Sequence, residues 1–333
     1  MPDLPNLTSQ SGSELPRWFR ADRDASEKIF RKNYPDSLPS TFFHYTSSAA
    51  LISIIQNNEI WLSDATFLND RSEVKHGRDI ALQCLNDAIS ARGRKEMKAM
   101  LRETLALFET KPDPIAYTAC FSWEADDLSQ WRGYGKGNSP VSIEFEYRTL
   151  MFGYASEAII SEVQYDIRKQ RWILNQVLQA YKNAYTEEVR NPNPNKRPIS
   201  KEKEQTICAS KLYNGLWRYI VAFKDAAFKQ EREVRYIYLA HDFSGGEATW
   251  FPEHPTPKFR EYNGRIIPYL SSNNLNFQNL PPVDQVPLLP IRSIRIGPID
   301  DPALTERGIR RLLDIYGHKD IPIVPSNSPY RAS

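Results

Sequence analysis

Ile115-Ala116-Tyr117-Thr118-Ala119-Cys120-Phe121-Ser122, followed by Val141-Ser142-Ile143-Glu144-Phe145-Glu146-Tyr147, is the part of the chain that decides the fold. Both runs have strand length and are rich in β-branched and aromatic residues. Between them Asp127-Leu128-Ser129-Gln130-Trp131-Arg132-Gly133-Tyr134-Gly135 reads as a short helix or loop closing in glycines. A third strand candidate, 158–165, follows.

Upstream, 41–46 (Thr-Phe-Phe-His-Tyr-Thr) reads as a strand. Thr46 or Ser47 then caps a helix to about 57, with Leu51, Ile52 and Ile55 on one face. A short strand at 60–62 leads into a loop carrying Asn69-Asp70-Arg71. Helical stretches cover 72–91 and 94–110, and Lys111-Pro112-Asp113-Pro114 breaks the second.

Downstream, 166–190 and 201–223 read as long helices separated by the linker-like Asn-Pro-Asn-Pro-Asn-Lys-Arg at 191–197. Residues 231–239 alternate as a strand. Residues 241–290 are rich in Pro, Asn and Ser, with a short strand candidate at 265–269. Another strand covers 291–296. Asp301 caps a helix with Pro302 at its first position. Leu304, Ile309, Leu312, Leu313 and Tyr316 line that helix and Gly317 stops it. Pro322 makes 321–324 an edge strand.

No internal repeat and no run of clean βαβ units emerges. The pattern predicts an α+β fold, a mixed or antiparallel central sheet with flanking helices. The organisation expected is a flexible N-terminal tail over 1–24, then a single domain over 25–333 with helical insertions at about 72–110 and 166–224.

Composition narrows the function. The 333 residues carry 43 basic and 41 acidic side chains, a net charge of +2, which supplies no bulk drive toward nucleic acid or membranes. Three distant cysteines read as reduced thiols, and five histidines form no metal-ligand spacing. No run approaches the ~18 apolar residues of a membrane span and no secretory leader opens the chain. The expectation is a cytoplasmic protein with no membrane partner and no metal. The phosphate loops GxxxxGK[ST] and GxGxxG are absent.

Four segments together carry a resemblance. They are His44-Tyr45-Thr46; Leu62-Ser63-Asp64 through Phe67, Asn69, Asp70 and Glu73; Cys120-Phe121-Ser122 with Gln130 through Gly135 and the following strand; and Lys224 through Phe228 with Glu231, Glu233 and Arg235. In this order they resemble the bacterial domain of unknown function family 2971, over roughly 40–331. A second resemblance, to ADP-ribosyltransferase-like folds, rests on an early strand holding His44 and a late Glu231-Arg232-Glu233.

That second resemblance implies an ADP-ribosyltransferase-like fold and an NAD-consuming transferase or glycohydrolase, of the kind that includes bacterial toxins and phage-defence effectors. Its substrate would be NAD and its acceptor a nucleic acid or a protein. Breaking the nicotinamide–ribose bond releases a neutral base, so the enzyme's task is to stabilise an oxocarbenium-like sugar. Glu233 is assigned to the ribose, with Glu231 assisting. On a regular strand both would share one face with Arg235. His44 would hold a ribose hydroxyl. Tyr45 alternates to the opposite face, and Thr46 shares His44's face. Arg132 would fork onto a pyrophosphate, Tyr134 or Trp131 would stack on a ring, and Asn69 would edge the cleft.

Each assignment has a plainer counterpart. The Glu-Arg-Glu run can be a solvated sheet face, His44 a satisfied core histidine, and Arg132 a surface residue beside a core tryptophan. The Asn69 segment can be a simple turn. Lys224 and Lys229 read as solvated. Two other functions fit the composition: a magnesium-dependent nuclease using Asp64, Asp70, Glu73 and Glu231, and a non-catalytic nucleotide-sensing or binding module.

Overall fold

The computed structural model describes residues 16–33, 40–67, 73–134, 139–147, 149–150, 158–193, 199–240, 255–262, 264–275 and 287–328. In chain order its elements are α1 (Ala21–Asn33), β1 (Thr41–Ser47), α2 (Ser48–Asn57), β2 (Trp61–Asp64), α3 (Glu73–Ser90), α4 (Lys95–Thr110), β3 (Ile115–Ser122), α5 (Leu128–Tyr134) and β4 (Pro140–Glu146). They continue with β5 (Ile159–Glu162), α6 (Ile167–Arg190), α7 (Lys201–Ile220), β6 (Glu233–Ala240), β7 (Lys258–Tyr262), β8 (Arg265–Ser271), β9 (Ile291–Ile296), α8 (Pro302–Ile315) and β10 (Ile323–Pro325).

The chain divides into two compact units. One takes the described parts of 1–37, 72–113 and 164–223, and the other those of 38–71, 114–163 and 224–333. The first unit is helical: α1, α3, α4, α6 and α7, the two stretches expected as insertions together with the N-terminal segment. The tail expected over 1–24 is helical from Arg17 onward. Trp18 is buried and its indole donates to Glu204 Oε1 at 3.2 Å, which anchors the segment that a pattern-free sequence suggested was loose. Phe108 stacks on Trp217 at 5.7 Å in the core of this unit. At Gly77 an added Cβ would lie 2.7 Å from the Ile220 carbonyl, so α3 meets α7 at backbone distance.

The second unit holds the sheet. Among the described residues it has ten strands, mixed and mostly antiparallel, in the order β10-β9-β4-β1-β3-β2-β8-β7, with β6 pairing β3 and β5. This is the α+β architecture expected. β10 lies at the edge, a position that suits Pro325 and the preceding Pro322, and pairs parallel to β9. Ser47 caps α2 by accepting from Ala50 N at 3.2 Å. The buried face of α2 is Leu51, Ile54 and Ile55, whereas Ile52, read as a core position, is exposed. Asp301 caps α8, and Gly317 follows its end at φ 84°, a conformation that suits glycine.

One irregularity positions everything that follows. β6 pairs along the full length of one edge of β3. The other edge is shared: β1 takes Ser122 through Phe43, and β2 takes Thr118 and Tyr117 through Ser63 and Asp64. β1 and β2 therefore part over the middle of β3. The face containing Phe42, Tyr117, Phe121, Ile143, Phe145, Val234 and Tyr236 forms the apolar core, with Phe42 and Phe121 rings 4.3 Å apart.

Candidate functional site

The opposite face of β3 carries Ala116, Thr118, Cys120 and Ser122. Across the ladder, Ser122 pairs with Glu233 and Cys120 with Arg235 on β6, and Thr118 pairs with Ser63 on β2. Partners in a ladder point to one side, so small β3 residues make a floor between charged side chains.

At the β6 end of that floor is a network of two carboxylates and two cations. Glu233, 6% exposed, accepts from Arg235 Nε at 2.8 Å and Arg235 Nη2 at 2.9 Å, a bidentate pair. Lys224 Nζ lies 3.3 Å from Glu233 Oε2 and 2.6 Å from Glu231 Oε2. Its chain is buried, 7% exposed, with the ammonium 4.8 Å from the Phe228 ring centroid. Lys224, read as solvated, is thus the residue that joins the two carboxylates. An ammonium here is held by opposite charge, which offsets its loss of water.

The same surroundings fix the charge states. Burial pushes the Glu233 carboxyl up. The Arg235 charge and hydrogen bonds, with Lys224 and the Cys120 thiol, outweigh it and pull the carboxyl down to about 2. Burial and the Glu233 charge push the Cys120 thiol well above its ordinary range, so it is a neutral donor.

Glu231 reaches the network from a different element than expected. It ends a 3-10 helix, Ala226–Glu231, capped by Asp225 through Ala227 N at 2.9 Å. Arg232 then takes φ 44°, a left-handed turn before β6 begins at Glu233. The two glutamates therefore do not share a strand face by alternation; they converge through the turn. Gln130 Nε2 of α5 donates to the Glu231 carbonyl at 3.1 Å and holds that turn. The Glu231 side chain is 38% exposed, against 7% for Glu233. Of the two carboxylates, Glu231 is the one that a ligand can approach.

His44 fills the fork between β1 and β2. Its Nδ1 donates to the Cys120 carbonyl at 2.8 Å, replacing the strand partner that β3 lacks there. Burial pushes its pKa down, the Cys120 bond pushes back, and the Arg260 charge adds to the lowering. The ring is neutral, with Nδ1 as donor and Nε2 as acceptor. The register Phe43–Ser122–Glu233 puts Phe43 on the carboxylate face and turns His44 to the other, where it pairs with Ile143 and lies 5.4 Å from the Phe121 ring. His44 and Glu233 both contact Cys120, from opposite faces of the sheet. One residue of alternation separates His44 from Phe43, and this keeps the imidazole off the Glu233 face.

Tyr45 lies on the carboxylate face, but its hydroxyl is committed. It donates to the Glu124 carbonyl at 2.7 Å and accepts from Asp127 N at 2.9 Å, while its ring meets Trp131 at 4.7 Å. Thr46 pairs with Val141 and is buried beside the core; the helix cap is its neighbour Ser47. Trp131 is fully buried and donates to Asp126 Oδ1 at 2.6 Å, and Arg132 is exposed on α5. The backbone of Tyr134 ends α5, while its side chain lies outside the described residues, as do Asn69, Asp70 and the side chain of Glu73. Asp64 accepts from Thr66 N at 2.8 Å, and among the described residues no three His, Cys, Asp or Glu side chains group as a metal site. Among the same residues no helix is long and apolar enough to cross a membrane.

Sequence reasoning missed Lys224, Ser63, Thr118 and Arg260. The signal for the floor was that every second residue of Ile115–Ser122, namely Ala116, Thr118, Cys120 and Ser122, is small. A strand with one small-residue face lets another group approach closely.

No curated protein and no solved structure matches the chain, so the likeness to ADP-ribosyltransferase folds rests on motif order alone. The family resemblance read over 40–331 is matched over a shorter stretch, which begins within α5 and contains all four charged residues of the network but not His44. That stretch, residues 130–236, matches the family described as "Protein of unknown function (DUF2971)".

Proposed function

We propose that this protein is an NAD-consuming enzyme with an ADP-ribosyltransferase-like catalytic unit, cleaving the nicotinamide–ribose bond and passing the ADP-ribosyl group to water, a nucleic acid or a protein, as toxins and phage-defence effectors do. The observation that supports it is the Glu231–Lys224–Glu233–Arg235 network: an accessible carboxylate held in place by a buried, charge-balanced scaffold. Glu231 is the acting carboxylate. Its negative charge sits where a cationic sugar develops, and it is pre-oriented by Lys224, so no reorganisation is needed in the transition state. Glu233 is a positioning residue: its carboxylate is occupied by Arg235 and Lys224, and it fixes the ammonium that orients Glu231. The nicotinamide leaves as a neutral base, so no general acid is required. His44 serves the fold of the sheet rather than the ribose.

Incubation of the purified protein with NAD, alone and with DNA, RNA or protein acceptors, should release nicotinamide. The Glu231→Gln variant should not, while keeping the wild-type melting temperature. Absence of release by wild type with every acceptor overturns the proposal.

The saturation of Glu233 favours a second reading, a non-catalytic nucleotide-binding module. Thermal stabilisation by NAD or ADP-ribose without turnover selects it.

A further inference from the structure

Away from the carboxylates, the same face of the sheet holds a second polar cluster on β2, β3 and β7. Ser63 and Thr118 pair across the β2–β3 ladder, so their hydroxyls project to one side. Arg260 reaches over from β7 and donates from Nη2 to Ser63 Oγ at 3.0 Å. Its guanidinium carbon lies 5.7 Å from the centre of the Trp61 ring, which in turn packs 4.6 Å from Tyr269. The Trp61 indole is held by Glu59 Oε1 at 2.7 Å, so this wall is fixed. Ser63 and Thr118 are buried and form the base of the cluster, and the half-buried Arg260 and Trp61 form its rim.

Thr118 is the anomaly. It is 2% exposed, yet its Oγ1 is buried and has no hydrogen-bond partner among the described residues. Buried hydroxyls are normally satisfied, and one that is not calls for a ligand or another explanation. Ser63 accepts from Arg260, which leaves its own proton to donate. Two hydroxyl donors beside a guanidinium are the donor set that recognises phosphate oxygens.

We propose that Thr118, Ser63 and Arg260 form an anion subsite that takes a phosphate or pyrophosphate group of a nucleotide, with Trp61 as its flanking wall. Within the NAD reading, on which the nucleotide assignment rests, this is where the pyrophosphate binds, in place of the exposed Arg132. The binding of an anion itself does not depend on NAD cleavage.

The test is calorimetric titration of the full chain with inorganic pyrophosphate and with ADP-ribose, on wild type, Thr118→Val and Arg260→Ala. The expected result is binding of both probes by wild type, weakened at least tenfold in each variant. Thr118→Val keeps the side-chain shape and removes a hydroxyl that is unpartnered without ligand. Its melting temperature should equal or exceed that of wild type, which a structural hydroxyl would not allow. Failure of wild type to bind either probe, unchanged affinity in Thr118→Val, or a lowered melting temperature in that variant overturns the subsite. If pyrophosphate binds with the expected dependence on Thr118 but NAD is never cleaved, the subsite stands and the NAD reading fails. If nicotinamide is released equally by wild type and both variants, the subsite fails and the NAD reading stands.

Discussion

The two faces of β3 are buried by opposite means. On one, Tyr117, Ala119 and Phe121 pack among Phe42, Phe145 and Val234. On the other, Cys120 and Ser122 pair with Arg235 and Glu233, with Lys224 bound to Glu233, and Thr118 pairs with Ser63 further along the strand. Apolar burial is non-directional, so one well-fitting side chain can stand in for another. Buried charge is not interchangeable: each group is stable only while its partner remains. The two faces should therefore answer substitution differently, and that contrast can be broken at four points.

The largest effect is expected from Arg235→Met. It removes the bidentate partner of a buried carboxylate and should cost about 3–5 kcal/mol in urea unfolding. Adding Glu233→Leu should recover most of that loss, because an apolar pair has no unmet charge. A single-variant cost below about 1 kcal/mol would show that the network is not what holds Glu233.

Acid unfolding comes next. The Glu233 carboxyl sits near 2 in the fold, against an ordinary 4.5. Its folded pKa is depressed, so the unfolded chain binds more protons between those values. The resulting stability, about 3 kcal/mol, is fully present above pH 4.5 and is lost as pH falls toward 2. Glu233→Gln should flatten this acid limb in a series of denaturant melts from pH 5 to 2. An unchanged slope would contradict the assignment.

On the apolar face, Phe121→Leu should cost only about 1–1.5 kcal/mol and leave ligand binding per folded molecule unaltered. A change in affinity for ADP-ribose would mean that the two faces are coupled.

The smallest stability effect belongs to Glu231→Gln. Its ion pair with Lys224 is half-exposed and should be worth less than about 1 kcal/mol. A larger loss would make Glu231 structural.

Much of this was legible from sequence. β3 and β9 begin and end where β-branched and aromatic runs do, at Ile115–Ser122 and Ile291–Ile296. The Asp301 cap, the Pro302 start and the Gly317 stop follow from backbone chemistry that is local to those residues. The fork was not legible, because it depends on which two distant strands share one edge of β3, a tertiary choice that no window of sequence contains. The left-handed turn at Arg232, which takes Glu231 off the strand, is a conformation that arginine does not advertise. The burial of Lys224 depended on carboxylates that reach it only once the turn has formed. Strand β7, Lys258–Tyr262, is polar and alternates around an exposed Phe259, so it read as part of a loop.

The central claim is that Glu231 acts on a sugar that Glu233 never touches. Nicotinamide release from NAD, compared between wild type and Glu231→Gln at equal folded concentration, tests it most directly. Release by wild type and a loss of at least about 100-fold in the variant, at an unchanged melting temperature, are expected. Equal release by the two proteins, or none by wild type, would contradict it.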